Sequence, residues 1–124
     1  MNNNSNVTQN KARAFALRII KLYRYLNDQK KEFVLSKQVL RSGTSIGANI
    51  TEGHFAQSKA DFIAKYSIAL KEAAETFYWL DLLCASDFIS ADQASSLMND
   101  CKELIALLTS SLKTARASRE QPAP

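Results

Sequence analysis

Few residues of this chain carry the groups that reactions need. His54 is the single histidine, and Cys84 and Cys101 are the two cysteines. One imidazole with no second histidine gives neither an acid–base pair nor the Glu-x-x-His pairs of a di-iron bundle. Two thiols without further ligands do not make a metal site, and a free cysteine behaves as a small hydrophobe in a core. Arg41 and His54 stand thirteen residues apart, too far for the close Arg–His pair of helical ribonuclease domains. The run Ser42-Gly43-Thr44-Ser45-Ile46-Gly47 lacks the Gly-Lys-Ser/Thr ending of a phosphate-gripping loop. No catalytic group, metal or cofactor is expected, and the chain reads as a non-enzyme.

Three other constellations carry charge or hydrogen bonds. Gln38, Arg41, Ser45, Asn49 and Glu52 recur one helical turn apart, within about 60° of one another. They form a polar ladder about 20 Å long at 1.5 Å per residue. It reads either as a packing seam in which Arg41 and Glu52 balance charges, or as a ligand or phosphate site. Glu72 and Glu75 share a face beside Trp79, and Trp79, Leu82 and Leu83 make that face an expected interface. Lys11, Arg13, Arg18, Lys21 and Arg24 lie along one arc of a helix, with Tyr23 and Tyr25 as candidate stacking surfaces. Such an arc is either solvated surface or a phosphate-binding strip that reads charge and shape more than sequence.

These residues need elements to hold them. Apolar side chains recur at helical spacing in four segments. The first runs from about Lys11 to Leu26 with Phe15, Ile19, Leu22 and Leu26 on one stripe. The second runs from about Phe33 to Ala56 with Leu35, Val39, Ile46 and Ile50. The third opens at Ser58, whose spacing to Asp61 suits a capping pair, and carries Phe62, Tyr66, Ala69, Ala73, Phe77, Leu80 and Cys84. The fourth opens at Ser90 with Gln93 in capping-box position and carries Leu97, Cys101, Leu104, Leu108 and Leu112 to about Arg116. Gly43, Gly47 and Gly53 sit inside the second helix, each costing about 1 kcal/mol relative to alanine, which implies close helix contact or a bend.

Short polar linkers between amphipathic helices make an antiparallel four-helix bundle over residues 10–116. Residues 1–9, rich in Asn, and residues 117–124, with Pro122 and Pro124, read as disordered tails. The 124 residues suffice for one domain, and 46% hydrophobic against 23% charged residues excludes a chain that is disordered throughout. No apolar run approaches the roughly 20 residues of a membrane span. The N-terminus shows no secretory pattern, so no membrane association is expected and a cytoplasmic location is.

Charge is uneven along the chain. Residues 1–45 hold nine Lys/Arg against Asp28 and Glu32, a balance of +7, while residues 46–124 balance at −3. An anionic partner is therefore expected on the first half, with Lys30, Lys31 and Lys37 joining the cations of the first helix.

The segment from Leu35 to Gly53, LSKQVLRSGTSIGANITEG, resembles the signature of the four-helix-bundle proteins encoded in intervening sequences of bacterial 23S rRNA genes. Glu75 to Leu83, ETFYWLDLL, is similar to that family's second motif. The resemblance spans about Lys11 to Arg116, with Thr51 departing from the alanine often found there. It implies a left-handed up-and-down bundle assembling as a homopentamer around a central opening. It also implies kinship with the accessory variability determinant of diversity-generating retroelements, a pentameric barrel that binds nucleic acid and a reverse transcriptase. Leu17, Ile20, Ile68, Trp79, Leu82 and Leu83 are left over once one bundle core is built, and with Glu75 they form the expected subunit interface. The function expected is RNA or DNA binding by a ring of basic faces, the alternative being a scaffold that docks a partner enzyme such as a reverse transcriptase.

Overall fold

A computed structural model describes residues 3–118, so residues 1–2 and 119–124 of the expected tails lie outside the described residues. Four helices follow in order: α1 (Asn3–Asp28), α2 (Leu35–His54), α3 (Lys59–Ala85) and α4 (Ala91–Ala117). They form an antiparallel bundle whose core gathers Phe15, Ile19 and Leu26 of α1, Val39, Ile46 and Ile50 of α2, Tyr66 and Leu80 of α3, and Leu104 and Leu108 of α4. No helix among the described residues is long and apolar enough to cross a membrane.

Each boundary has a local cause. Lys31 adopts φ 52°, in the left-handed region, just after α1 ends, and the Glu32 amide closes back on the Leu26 carbonyl at 2.9 Å. The Glu32 carboxylate then accepts from the amides of Val34, Leu35 and Ser36 at 3.2, 3.1 and 2.7 Å, satisfying the free N–H groups at the start of α2. Ser58 Oγ accepts from the Asp61 amide at 3.0 Å and caps α3. Ser90 and Gln93 form the reciprocal capping box at α4. Between α3 and α4, Asp87 takes φ 65°, which a short polar side chain tolerates, and the turn delivers Ile89 into the core at 5% exposure.

Four expectations are corrected. Helix α1 begins at Asn3, where a disordered tail over residues 1–9 was expected, and Thr8 is only 1% exposed. Packing of Thr8 supplies what the poor helix propensity of an Asn-rich segment does not. Helix α2 is shorter than the expected 33–56, because Phe33 and Val34 belong to the turn that Glu32 caps and both are exposed. Leu83 is fully buried, not an outward interface residue, since it lies three and seven residues beyond Leu80 and Thr76 on the inward face of α3. Cys84, expected on that face, is only half-buried.

Two of the three glycines of α2 mark close approaches. A Cβ on Gly43 would come 2.9 Å from the branched Ile19 side chain of α1, and one on Gly53 would come 2.7 Å from the Tyr66 ring of α3. That ring is held by stacking on Phe62 at 4.1 Å between centroids. At Gly47 the nearest atom, Ala12 Cβ, is 3.6 Å away, an ordinary contact. Gly53→Ala is therefore expected to lower stability by about 1–3 kcal/mol through overpacking. Gly47→Ala is expected to raise it by about 0.5–1 kcal/mol through helix propensity. Denaturant midpoints of the two variants check this, and an equal effect would contradict it.

Candidate nucleic-acid interface

The basic residues of α1 do not act as one strip. Lys11 Nζ pairs with Glu103 of α4 at 3.0 Å. Arg18 Nη1 pairs with Asp100 at 2.6 Å, and its Nη2 donates to Ser96 Oγ at 2.9 Å. Both cations stitch α1 to α4. Arg13 is exposed and lines a shallow groove of about 250 Å³ between α1 and α2, whose wall is Thr44, Gly47, Ala48 and Thr51.

The remaining cations gather at one end of the bundle. Lys21 and Arg24 occupy the last turns of α1, Lys30 and Lys31 the turn after it, and Lys37 the first turn of α2. All five are exposed, and none makes an ion pair among the described residues. Lys30 Nζ stands 6.0 Å from the centroid of the Tyr25 ring. Of the acidic residues at the same end, Glu32 is committed to the α2 amides, while Asp28 of α1, Asp81 of α3, Asp87 of the turn after it and Asp92 of α4 stand exposed among the cations without pairing with them among the described residues.

The polar ladder of α2 resolves into a seam with α3. Arg41 Nη2 donates to Glu75 Oε2 at 2.6 Å, and its Nη1 lies 3.6 Å from Glu72 Oε2. Trp79 Nε1 donates to the same Glu75 oxygen at 3.1 Å. At the other end of the ladder, Glu52 pairs with Lys65 at 3.1 Å. Asn49 donates to the Ser45 carbonyl at 2.9 Å, within α2, and Gln38 is exposed. Beneath the seam, Thr76 Oγ1 lies 2.7 Å from the Glu72 carbonyl and 2.9 Å from Ser42 Oγ. With one proton per hydroxyl, Thr76 donates to the carbonyl and accepts from Ser42. Of the five ladder residues, Arg41 and Glu52 thus pair across to α3.

Of the expected interface residues, Leu17 and Ile68 are exposed at 46% and 41%, and Ile20, Glu75, Trp79 and Leu82 are half-buried. The sequence reading passed over Val34, Phe55 and Tyr78, exposed at 71%, 81% and 54%. Their signal was faint: each sits at a helix end or beside a core position, where periodicity alone does not assign a direction.

His54 and Cys101 each hydrogen-bond to α3, and Cys84 is half-buried. His54 Nε2 is 3.1 Å from the Tyr66 hydroxyl, and burial lowers the imidazole pKa while raising that of the phenol. No group of three or more His, Cys, Asp or Glu among the described residues is arranged to hold a metal ion. Cys101 donates its thiol to the Ala73 carbonyl at 3.1 Å, and burial pushes its pKa up to about 12. The folded chain thus keeps this thiol protonated where the unfolded chain, ionising near the ordinary 9.0, releases the proton. Its contribution to stability is present below pH 9 and is lost as pH rises through about 12. Iodoacetamide at pH 8 is expected to modify Cys101 only at the rate of unfolding, which peptide mapping measures. Rapid labelling in the folded state would contradict the buried placement.

Comparison with known proteins follows the same outline. The family profile described as 23S rRNA-intervening sequence protein matches residues 4–110. A crystal structure of a protein of unknown function from the S23 ribosomal protein family of Bacteroides thetaiotaomicron VPI-5482 is 55% identical. The match covers 89% of this chain and 98% of that one, with a TM-score of 0.88. No curated protein matches. The α2 motif and the α3 motif both fall within the matched span, which reaches from α1 into α4, and the chain belongs to the 23S rRNA-intervening sequence protein family.

Proposed function

We propose that this protein is a non-enzymatic nucleic-acid-binding bundle that acts in the bacterial cytoplasm as a homopentamer. The observation that carries the reading is the cluster of Lys21, Arg24, Lys30, Lys31 and Lys37, five exposed cations without ion pairs among the described residues, gathered at one end. Fixed positive charge of this kind binds phosphates by releasing their counterions and needs no groove-reading helix. Structured RNA or DNA is the ligand class. Ring assembly multiplies the contact without new chemistry.

Assembly is supported by the apolar side chains that the single bundle leaves outside, Leu17, Ile68 and Tyr78 among them. A homopentamer is the assembly that the resemblance of the α2 and α3 motifs to the 23S rRNA-intervening sequence family implies. The second reading, a scaffold that docks a partner enzyme such as a reverse transcriptase, is favoured by Phe33 and Val34. Both are exposed beside the cationic end.

The triple variant Lys21→Glu, Arg24→Glu, Lys37→Glu spares the Arg18–Asp100 pair, so the α1–α4 seam is retained. It is expected to weaken RNA binding at least tenfold at low salt. For the native protein, five phosphate contacts give a slope of about −4 in log affinity against log salt. Fluorescence anisotropy checks both. Native affinity in the variant, with a flat salt response, would favour the scaffold. Light scattering should return about five times the 13.8 kDa chain mass, and a lone chain would contradict the ring.

A further inference from the structure

A groove opens beside the cationic cluster. Helix α1 meets α4 more sparsely than its other neighbour, α2. The ion pairs of Lys11 and Arg18 bridge the α1–α4 seam, and beyond Arg18 none does so among the described residues. There the seam widens into a groove of about 350 Å³. Its apolar walls are Leu22 and Leu97, with Ile89 from the turn before α4 and the half-buried ring of Tyr25. Lys21 and the guanidinium of Arg18 border it. Gln93 also borders it, and its Oε1 is used by the capping box while its Nε2 has no partner among the described residues.

We infer that this groove takes one unpaired nucleobase of a polynucleotide whose phosphates follow Lys21, Arg24 and Lys30. The inference rests on the nucleic-acid reading above and narrows it to single-stranded segments. Three features select this occupant. The volume lies at the small end of the roughly 300–1,000 Å³ of ligand sites and suits one ring system. Tyr25 supplies an aromatic face, and a base accepts stacking regardless of its identity. Gln93 Nε2 supplies a donor for a base edge. A small amphiphilic acid would need one cation at the groove. Here the charges continue, with Arg24 one turn past Lys21 and Lys30 on the turn beyond, as a polymer of phosphates requires. A base within a duplex has both faces covered by its neighbours, so only a loop, bulge or end can enter.

The test uses the full chain and one RNA oligonucleotide carrying 2-aminopurine, presented single-stranded and then as a duplex. The single strand is expected to bind about tenfold more tightly, with a change in 2-aminopurine emission on binding. Gln93→Glu keeps the capping box but replaces the donor with a carboxylate. Tyr25→Leu keeps the apolar contact but removes the ring. Each is expected to weaken single-strand binding roughly tenfold, the scale of one lost base–aromatic stack; Tyr25→Leu leaves duplex binding unchanged, and Gln93→Glu, which sets a carboxylate beside Lys21, weakens the duplex less than the single strand. Equal affinity for both forms, with both variants native-like, overturns the groove assignment and leaves the basic-surface reading standing. Binding of neither form at low salt overturns both. Displacement by a fatty acid or aryl carboxylate at the affinity of the RNA would make the groove an amphiphile site and overturn the nucleobase assignment.

Discussion

Helix α2 must lie within one missing side chain of both its neighbours, and the bundle is arranged around that constraint. Gly43 admits Ile19 of α1, and Gly53 admits the ring of Tyr66 on α3. Beside Gly43, Ser42 of α2 and Thr76 of α3 join in a buried hydroxyl pair that a wider gap would leave unsatisfied. Close packing on these two sides sets where α1 and α3 stand. Helix α4 then fills the fourth corner, tight against α3 through Cys101 and Ala73 and looser against α1. The looseness is not uniform, because the ion pairs of Lys11 and Arg18 hold the seam over one stretch and leave it open over the next.

The same geometry divides the cations into two populations. Those of α1 that face α4 meet Glu103 and Asp100, and the field they project is largely cancelled. Those past the last contact make no ion pair among the described residues, and Glu32 spends both oxygens on the start of α2. The unpaired cations Lys21, Arg24, Lys30, Lys31 and Lys37 therefore gather at one end instead of forming a stripe along a helix. Exposed pairs of this kind contribute little to stability, typically below about 1 kcal/mol. Their effect is on where positive potential survives.

The four helices, their caps at Ser58 and Ser90, and most core residues were legible because helical periodicity and capping spacing are local patterns. What failed was everything set by a neighbour. The start of α1 was misplaced because Thr8 is held by packing, against the propensity of the asparagines around it. Leu83 and Cys84 exchanged roles because one residue of helical phase decides which side of α3 faces inward. The ladder of α2 was visible as a row of polar groups. That Arg41 would meet Glu75, and Glu52 would meet Lys65, depended on the register between two helices. The groove left no signal at all, since Leu22, Ile89 and Leu97 look like ordinary core residues until two helices diverge over them.

That divergence bears on what the end of the bundle is for. Leu22, Ile89 and Leu97 keep 7%, 5% and 6% of their surface exposed, where core residues deeper in the bundle keep essentially none. Closing the seam would cover those edges, and each buried methylene contributes about 0.8 kcal/mol. A continuation of the Lys11 and Arg18 pattern, with a carboxylate of α4 opposite Lys21, would have drawn the helices together and neutralised the cation in one step. The positions one and two turns before Asp100 on α4 instead carry Ser96 and Gln93, and Lys21 makes no ion pair among the described residues. Apolar edges left uncovered and a cation left unpaired at the same place are complementary to a ligand that is itself both aromatic and anionic. A nucleotide segment satisfies both requirements at once, which a duplex backbone, offering charge alone, does not.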